Sequence, residues 1–378
     1  MAVKGDQGVR HQGLRYQGIK VTMVTGFLGA GKTTLIRHLL EQVPNHERWA
    51  VLVNEFGDIG LDSAFYSNSD VAIKEVPGGC VCCTTSAAFQ QGLNTLIREQ
   101  NPDRIFIEPS GLGHPKQIVQ KLRSQIYQDV LLLTGVLCVL DARTLRDERY
   151  TNHEIYNDQI ESANGIVFSH VDLYKTEDIN VLESRFGALD LENDHVKGQQ
   201  PKLFYTNPMS FSLDALDIAL KETAFNKPAL KQSVVSELSH DGHHAHSHSH
   251  CHGNDENAQD HSHDAHHSHD DGEKNAVFHY RKQQDSMQVV GWRWPLDKRF
   301  SINELESSIA KMASIEGIYR IKGVFSVGNN QTGSNEAAFV NVSRGEVSLT
   351  FSTWQEDSRM EVIGDITHDW ISKLIEPV

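Results

Sequence analysis

The sequence predicts an α/β protein in two parts: an open, mostly parallel sheet with helices on its faces, then a smaller α+β domain. Three observations predict it. Short apolar runs alternate with helical spacing from Ile19 to about Asn226, and near-continuous hydrophobicity suits strands buried on both faces. A glycine-rich loop, Gly26 to Thr34, separates the first apolar run from the first helical stretch. Between Ser239 and Gly272 apolar residues almost vanish, and ordered patterns resume at Val277.

The elements follow in order. Residues 1–18 are polar and glycine-containing, which predicts a loose arm. Ile19–Val24 reads as the first strand and Leu35–Leu40 as an amphipathic helix. Further strands are expected at Trp49–Val53, Arg104–Ile107, Val136–Leu140 and Gly165–Phe168, with helical spacing at Ala87–Gln100 and Leu213–Thr223. Residues 19–226 therefore form the first domain. Residues 227–276, rich in His, Asp, Ser and Gly, cannot bury enough surface to offset the entropy of ordering and predict a disordered linker. In residues 277–378, Gln288–Trp294 alternates, Ile302–Ala313 is helical, and Arg320–Phe325, Ala338–Val342, Val347–Trp354 and Met360–Gly364 read as strands, with His368–Ile375 as a closing helix.

With 378 residues, 39% hydrophobic and 22% charged, the chain fits two modest soluble domains. A formal charge of −15 argues against nucleic-acid binding. The longest apolar run, Val130–Leu140, suits a buried strand and not a bilayer, and no basic-then-apolar start suggests secretion. Five cysteines, three of them crowded together, make a poor disulfide framework, so a reducing, cytoplasmic setting is expected.

Gly26-Phe-Leu-Gly-Ala-Gly-Lys-Thr-Thr34 fits the phosphate-binding pattern of Gly, four residues, then Gly-Lys-Thr, and sits between a strand and a helix as a P-loop NTPase requires. Gly26, Gly29 and Gly31 let the backbone turn its N–H groups inward, Ala30 and Thr34 complete the loop, Lys32 meets the β- and γ-phosphates, and the Thr33 hydroxyl can ligand Mg²⁺. Glu108 ends a buried strand and is expected to hold Mg²⁺ directly or through water, so Lys32 and Glu108 are the catalytic candidates. Gly111, in Pro109-Ser110-Gly111, could bring its N–H to the γ-phosphate. Ser169-His170-Val171-Asp172 stands where many GTPases carry Asn-Lys-x-Asp, so Asp172 favours GTP over ATP as the nucleotide, and Tyr205-Thr206-Asn207 could form a second base loop.

Pro77-Gly78-Gly79-Cys80-Val81-Cys82-Cys83-Thr84 brings three thiols within four positions. Thiolates select Zn²⁺ or Cu⁺ over Mg²⁺. Glu55 or Asp58, in the acidic loop Asn54–Asp62, could add a carboxylate. Both segments lie between the phosphate loop and Glu108, where nucleotide-dependent switches would sit. His240, His243, His244, His246, His248, His250 and His252, then His261, His263, His266, His267 and His269, place twelve of the 21 histidines in one polar tract. Such a tract suits capture of Zn²⁺, Ni²⁺, Cu²⁺ or Co²⁺. Cys138, in an apolar run, is expected in the core.

GFLGAGKTTL from Gly26, NEFGDIGLD from Asn54, GGCVCCT from Gly78, EPSG from Glu108, Asp141-Ala142, Gln159-Ile160 and Gly291-Trp292-Arg293-Trp294-Pro295 together resemble the CobW-like metallochaperone GTPases, kin of the urease and hydrogenase nickel-insertion GTPases. The resemblance covers nearly everything after the amino-terminal arm. It implies a GTPase that carries a transition metal, usually Zn²⁺, on Cys80, Cys82 and Cys83 with Glu55 or Asp58, and delivers it to a client metalloprotein; with no catalytic glutamine or arginine finger to name, slow intrinsic turnover is expected. Ser169-His170 and Asp58 depart from the family pattern. Two other readings remain: a cobalt- or cobalamin-related insertion GTPase, and a His-rich metal store with a regulatory nucleotide site. Neither a nucleic acid nor a membrane is expected as a partner, and a homodimer is compatible with the sequence.

Overall fold

The computed structural model describes residues 17–54, 66, 71–76, 86–187, 201–206, 208–219, 278–284, 286–328 and 336–374. Cys80, Cys82, Cys83, Glu55, Asp58, the histidine tract from His240 to His269, the amino-terminal arm up to residue 16 and the 227–276 linker lie outside the described residues.

In the first domain, strands β1 (Ile19–Thr25), β2 (Trp49–Asn54), β3 (Ala72–Val76), β4 (Arg104–Glu108), β5 (Leu131–Asp141), β6 (Gly165–Ser169) and β7 (Lys202–Phe204) form a parallel sheet in the order β3-β2-β4-β1-β5-β6-β7. Helices α1 (Lys32–Leu40), α2 (Ser86–Gln100), α3 (Pro115–Leu122), α4 (Glu148–Thr151), α5 (Glu154–Glu161) and α6 (Thr176–Phe186) connect and cover it. Every residue of β2, β4 and β6 is buried, which is why these strands read as unbroken apolar runs. The sheet order reverses at β1, between β4 and β5, so the carboxyl ends of these strands open the crevice in which such sheets hold ligands.

The second domain is an antiparallel sheet, β12-β11-β10-β13-β9-β8, built from β8 (Phe278–Gln284), β9 (Met287–Arg293), β10 (Ile318–Ser326), β11 (Glu336–Ser343), β12 (Glu346–Thr353) and β13 (Arg359–Asp365). One face packs on helix α7 (Ile302–Ala313) through Leu305, Ile309 and Met312, against Ile321, Phe325, Val340 and Val362. The other face turns to the first domain. A shared core joins Phe27, Leu28 and Tyr150 of the first domain to Met287, Val289, Tyr319 and Ile363 of the second.

One expected helix differs, and another begins later than expected. Within His368–Ile375 the described part, up to Leu374, shows a 3₁₀ turn, Ile371–Lys373, and no α-helix. The Asp365 carboxylate captures the N–H groups of Thr367 and His368, and its carbonyl accepts the Trp370 indole N–H, so the backbone is fixed before a helix can start. Within Leu213–Thr223 the described part shows a 3₁₀ turn over Leu213–Ala215, capped by Ser212, and α-helix at residues 218–219. Strands β3, β7 and β8 escaped the sequence pattern because they lie at sheet edges, where β3 is mostly half-exposed and β7 spans three residues. Among the described residues, no helix is long and apolar enough to cross a membrane.

Candidate nucleotide site

The phosphate loop connects β1 to α1. Gly26, Gly29 and Gly31 all adopt positive φ (142°, 72° and 100°), the conformation that the glycine spacing predicts. Gly26 also lies against the Val139 carbonyl, leaving no room for a side chain. Ala30 N–H donates to the Phe27 carbonyl at 3.2 Å, closing the turn. Helix α1 begins at Lys32 with no acidic residue in its first turn, so its positive dipole end faces the loop uncompensated.

Thr33 and Glu108, 75 positions apart in sequence, meet beside this loop. Thr33 Oγ1 donates to Glu108 Oε1 at 2.8 Å, and the Tyr66 hydroxyl donates to Glu108 Oε2. Glu108 is 2% exposed and Tyr66 1%. Burial, then the adjacent Glu108 carboxylate, holds the Tyr66 phenol well above its usual range, so it stays a neutral donor. With the Thr33 proton drawn toward Glu108, the Thr33 lone pairs face away from the carboxylate. A hydroxyl oxygen beside a carboxylate suits a hard cation such as Mg²⁺. Tyr66 was missed because nothing in its local spacing marks it.

Lys32 is buried, and its ammonium donates to the Gly26 and Phe27 carbonyls at 2.9 and 3.2 Å. Burial first, and then the charges of Arg320 and Lys322, push its pKa down to about 7, against an opposing pull from Glu108. Those two cations come from β10 of the second domain. A cavity of about 350 Å³ opens between the domains, lined by Gly29, Gly31, Lys32, Thr33, Thr34 and Arg37 on one side and by Arg320, Lys322, Phe339, Asn341, Ser348 and Thr350 on the other. Ser169, His170, Asp172 and Pro208 complete its wall, so Asp172 and Lys32 line one cavity. His170 adopts φ 55°, and its Nδ1 lies 3.1 Å from Ser169 Oγ and 3.7 Å from the Asp141 carboxylate. Asp141 is itself bound by the Arg143 guanidinium, and Tyr174 O–H donates to the Ser169 carbonyl at 2.7 Å.

Gly111 is buried beside Leu28, where a Cβ would press on the Leu28 backbone, and it is not among the cavity-lining residues. Its carbonyl accepts from Gln159 Nε2 at 3.1 Å, and Gln159 also bonds the Gly113 carbonyl. Gln159 thus anchors the loop after β4. Cys138 is buried as expected, and burial pushes its thiol up to about 12. Among the described residues, no group of three His, Cys, Asp or Glu side chains could hold a metal ion.

The second domain reaches the phosphate loop through the β11–β12 hairpin. Arg344 and Gly345 both take positive φ, as a two-residue hairpin turn needs. Ser343 lies against Gly29, Arg143 pairs with Glu346 at 2.7 Å, and the Tyr319 hydroxyl donates to the Arg149 carbonyl at 3.3 Å. A Cβ on Gly29 would land on the Ser343 hydroxyl, at a φ of 72° that side chains resist. Gly29→Ala is therefore expected to cost roughly 2 kcal/mol or more, since left-handed backbone alone costs about 1–2 kcal/mol. Ser343→Gly in that background should recover the steric part only. Thermal melts of the single and double variants check this, and equal melting temperatures for Gly29→Ala and the parent would refute it.

Residues 20–196 match the family described as CobW/HypB/UreG, nucleotide-binding domain. The chain is 46% identical over 164 residues to a zinc chaperone, YeiR, of Escherichia coli, covering 43% of this chain and 50% of that protein. It is 33% identical over 174 residues to a zinc-regulated GTPase metalloprotein activator 1 of Schizosaccharomyces pombe, covering 43% of this chain and 42% of that protein. The chain spans about half the length of the curated relatives it matches. Among solved structures, a Zn(II)-bound YjiA GTPase from E. coli aligns over 92% of this chain and 95% of its own, at 19% identity and a TM-score of 0.37.

Proposed function

We propose, from the match of residues 20–196 to the CobW/HypB/UreG nucleotide-binding domain, that the chain is a GTP-hydrolysing metallochaperone that carries zinc to a client metalloprotein. The observation that carries this reading is the Thr33–Glu108 pair at the mouth of a phosphate loop that also holds Lys32. Thr33 would ligand Mg²⁺, with Glu108 supporting it directly or through a bound water. Bound there, Mg²⁺ neutralises charge on the β- and γ-phosphates. The loop N–H groups and Lys32 hold the phosphates, and Asp172 accepts from the guanine edge. The cargo, Zn²⁺, sits on Cys80, Cys82 and Cys83 with Glu55 or Asp58, in a cytoplasmic setting.

Nucleotide control means that the affinities are linked: whatever factor GTP applies to zinc binding, zinc applies to GTP binding. Calorimetric titration of Zn²⁺, Co²⁺ and Ni²⁺ with GDP or a non-hydrolysable GTP analogue tests this. The expected result is one tight thiolate site, lost in Cys82→Ala/Cys83→Ala, whose zinc affinity differs between nucleotides by about 5-fold or more. Equal zinc affinities with GDP and the analogue would refute nucleotide control. The dense histidine tract favours a second reading, a metal store with a regulatory nucleotide site. Deleting residues 240–269 separates the two: a store loses its capacity, whereas a delivery GTPase keeps one thiolate site and its hydrolysis.

A further inference from the structure

The GTPase-facing side of the second sheet is polar in ordered rows. Across the strands, Arg320 pairs in register with Ser343 and Ser343 with Glu346, while Lys322 pairs with Asn341 and Asn341 with Ser348. The opposite side carries Ile321 and Phe325 into the core against α7. Alternation along β10 thus sends Arg320 and Lys322 together toward the phosphate loop. A bulge between Ile318 and Arg320 also turns Tyr319 to the first domain, where its ring meets Phe27 at 6.5 Å. Phe27 and Gly29 are phosphate-loop residues, so the strand that carries the cations docks on the loop through Tyr319, and its neighbour β11 docks beside it through Ser343.

The charge balance of the cavity is unlike that of the chain. Its described lining holds four Lys or Arg side chains, Lys32, Arg37, Arg320 and Lys322, and one carboxylate, Asp172, in a protein of net charge −15. Lys32 and Lys322 are nearly fully buried, 4% and 5% exposed. Lys322 also stands in register with the buried Glu361 of β13, and the cations that line the cavity favour an anion within it. Direction along the cavity follows from its ends. Asp172 and His170 mark the base end, whereas Lys32, the neighbour on which Arg320 and Lys322 act electrostatically, marks the β- and γ-phosphate end.

We infer that Arg320 and Lys322 bind the terminal phosphate of the nucleotide, so that the second domain supplies in cis the cations on which hydrolysis depends. This rests on the proposed function, in which a triphosphate occupies the loop. In hydrolysis, the oxygen of water bonds to the γ-phosphorus as that phosphorus loses its bond to the β–γ bridging oxygen, whose electron pair leaves with the diphosphate. One water proton stays on the inorganic phosphate and the other passes to solvent. Negative charge grows on the bridging and γ-oxygens during this step, and a guanidinium placed there stabilises it. The second domain then reads the nucleotide state directly, because GDP lacks the group its cations hold.

The test uses the full chain with Arg320→Gln, Arg320→Lys and Lys322→Met, measuring affinity for GDP and for a non-hydrolysable GTP analogue with Mg²⁺, and single-turnover GTP hydrolysis. Arg320→Gln should lower the hydrolysis rate about 10²-fold or more and the analogue affinity about 10-fold, with GDP affinity unchanged. Arg320→Lys should restore part of both losses, and Lys322→Met should weaken analogue binding more than GDP binding. Retained GDP affinity shows that each variant is folded, and Lys322→Met carries the test should Arg320→Gln not fold. Equal losses for GDP and analogue, or no loss in either, overturn the inference while leaving the GTPase reading intact. A parent chain that binds neither nucleotide overturns that reading itself.

Discussion

Lys32→Met is expected to lower affinity for a nucleoside triphosphate about 10²-fold or more, yet to stabilise the chain when no nucleotide is added. The first half follows from the position of the ammonium. A charge-assisted hydrogen bond to phosphate contributes roughly 1.5–3 kcal/mol, and Lys32 can make two. The second half follows from its surroundings. The side chain is buried, its hydrogen bonds go to two carbonyls, and Arg320 and Lys322 oppose its charge. Methionine fills a similar volume with nothing to desolvate.

The pH dependence gives this its sharpest form. Lys32 titrates at about 7 in the folded chain against 10.5 in an unfolded one. Below pH 7 both states are charged and the penalty on folding is fully present. Between those two values the unfolded chain holds a proton that the folded chain has lost, so wild-type stability rises with pH, by at most about 1.4 kcal/mol per unit. Urea denaturation at pH 6.5 and 9 should show the Lys32→Met advantage shrinking at the higher pH, and a constant difference would rule out the buried ammonium charge as its cause. Phosphate oxygens reverse the shift, so nucleotide binding at pH 8 should take up close to one proton. Calorimetry in buffers of different ionisation enthalpy measures that uptake.

How far the sequence reached depended on whether a residue's role is local. The phosphate loop was legible because three glycines, a lysine and a threonine do their work within nine positions, and their backbone angles match the expectation. The core strands were legible for the same reason, since burial on both faces leaves an unbroken apolar run. The edge strands β3 and β7 were not, because half-exposed residues carry no such pattern. Arg320 and Lys322 looked like ordinary charges on a strand. Only the docking of β10 and the β11–β12 hairpin on Gly29 and Phe27 turns them toward Lys32, through contacts separated by some 300 positions in sequence. Tyr66 is the same case, since its partner Glu108 is reached only after β2 and β4 pair in the sheet.

Glu108→Gln is the second substitution with a large expected effect. The carboxylate accepts from Thr33 and Tyr66 at once, one hydroxyl on each oxygen. A carboxamide keeps one acceptor oxygen but turns the other position into a donor, so one of the two hydroxyls must face an N–H. It also removes the negative charge that would support Mg²⁺ beside Thr33. GTP hydrolysis should fall about 10²-fold, in line with losing one electrostatic contributor at a phosphoryl-transfer site, and half-maximal activity should need roughly 10-fold more Mg²⁺. Tyr66→Phe separates support from charge. It keeps the Glu108 side chain but takes away one donor, at a cost of about 1–3 kcal/mol for a buried acceptor left short of a partner. Because the two residues share one hydrogen bond, the double variant should be no worse than Glu108→Gln alone. A Mg²⁺ dependence for Glu108→Gln that matches the parent would remove Glu108 from the cation site, and additive losses would mean that Tyr66 acts through something other than that carboxylate.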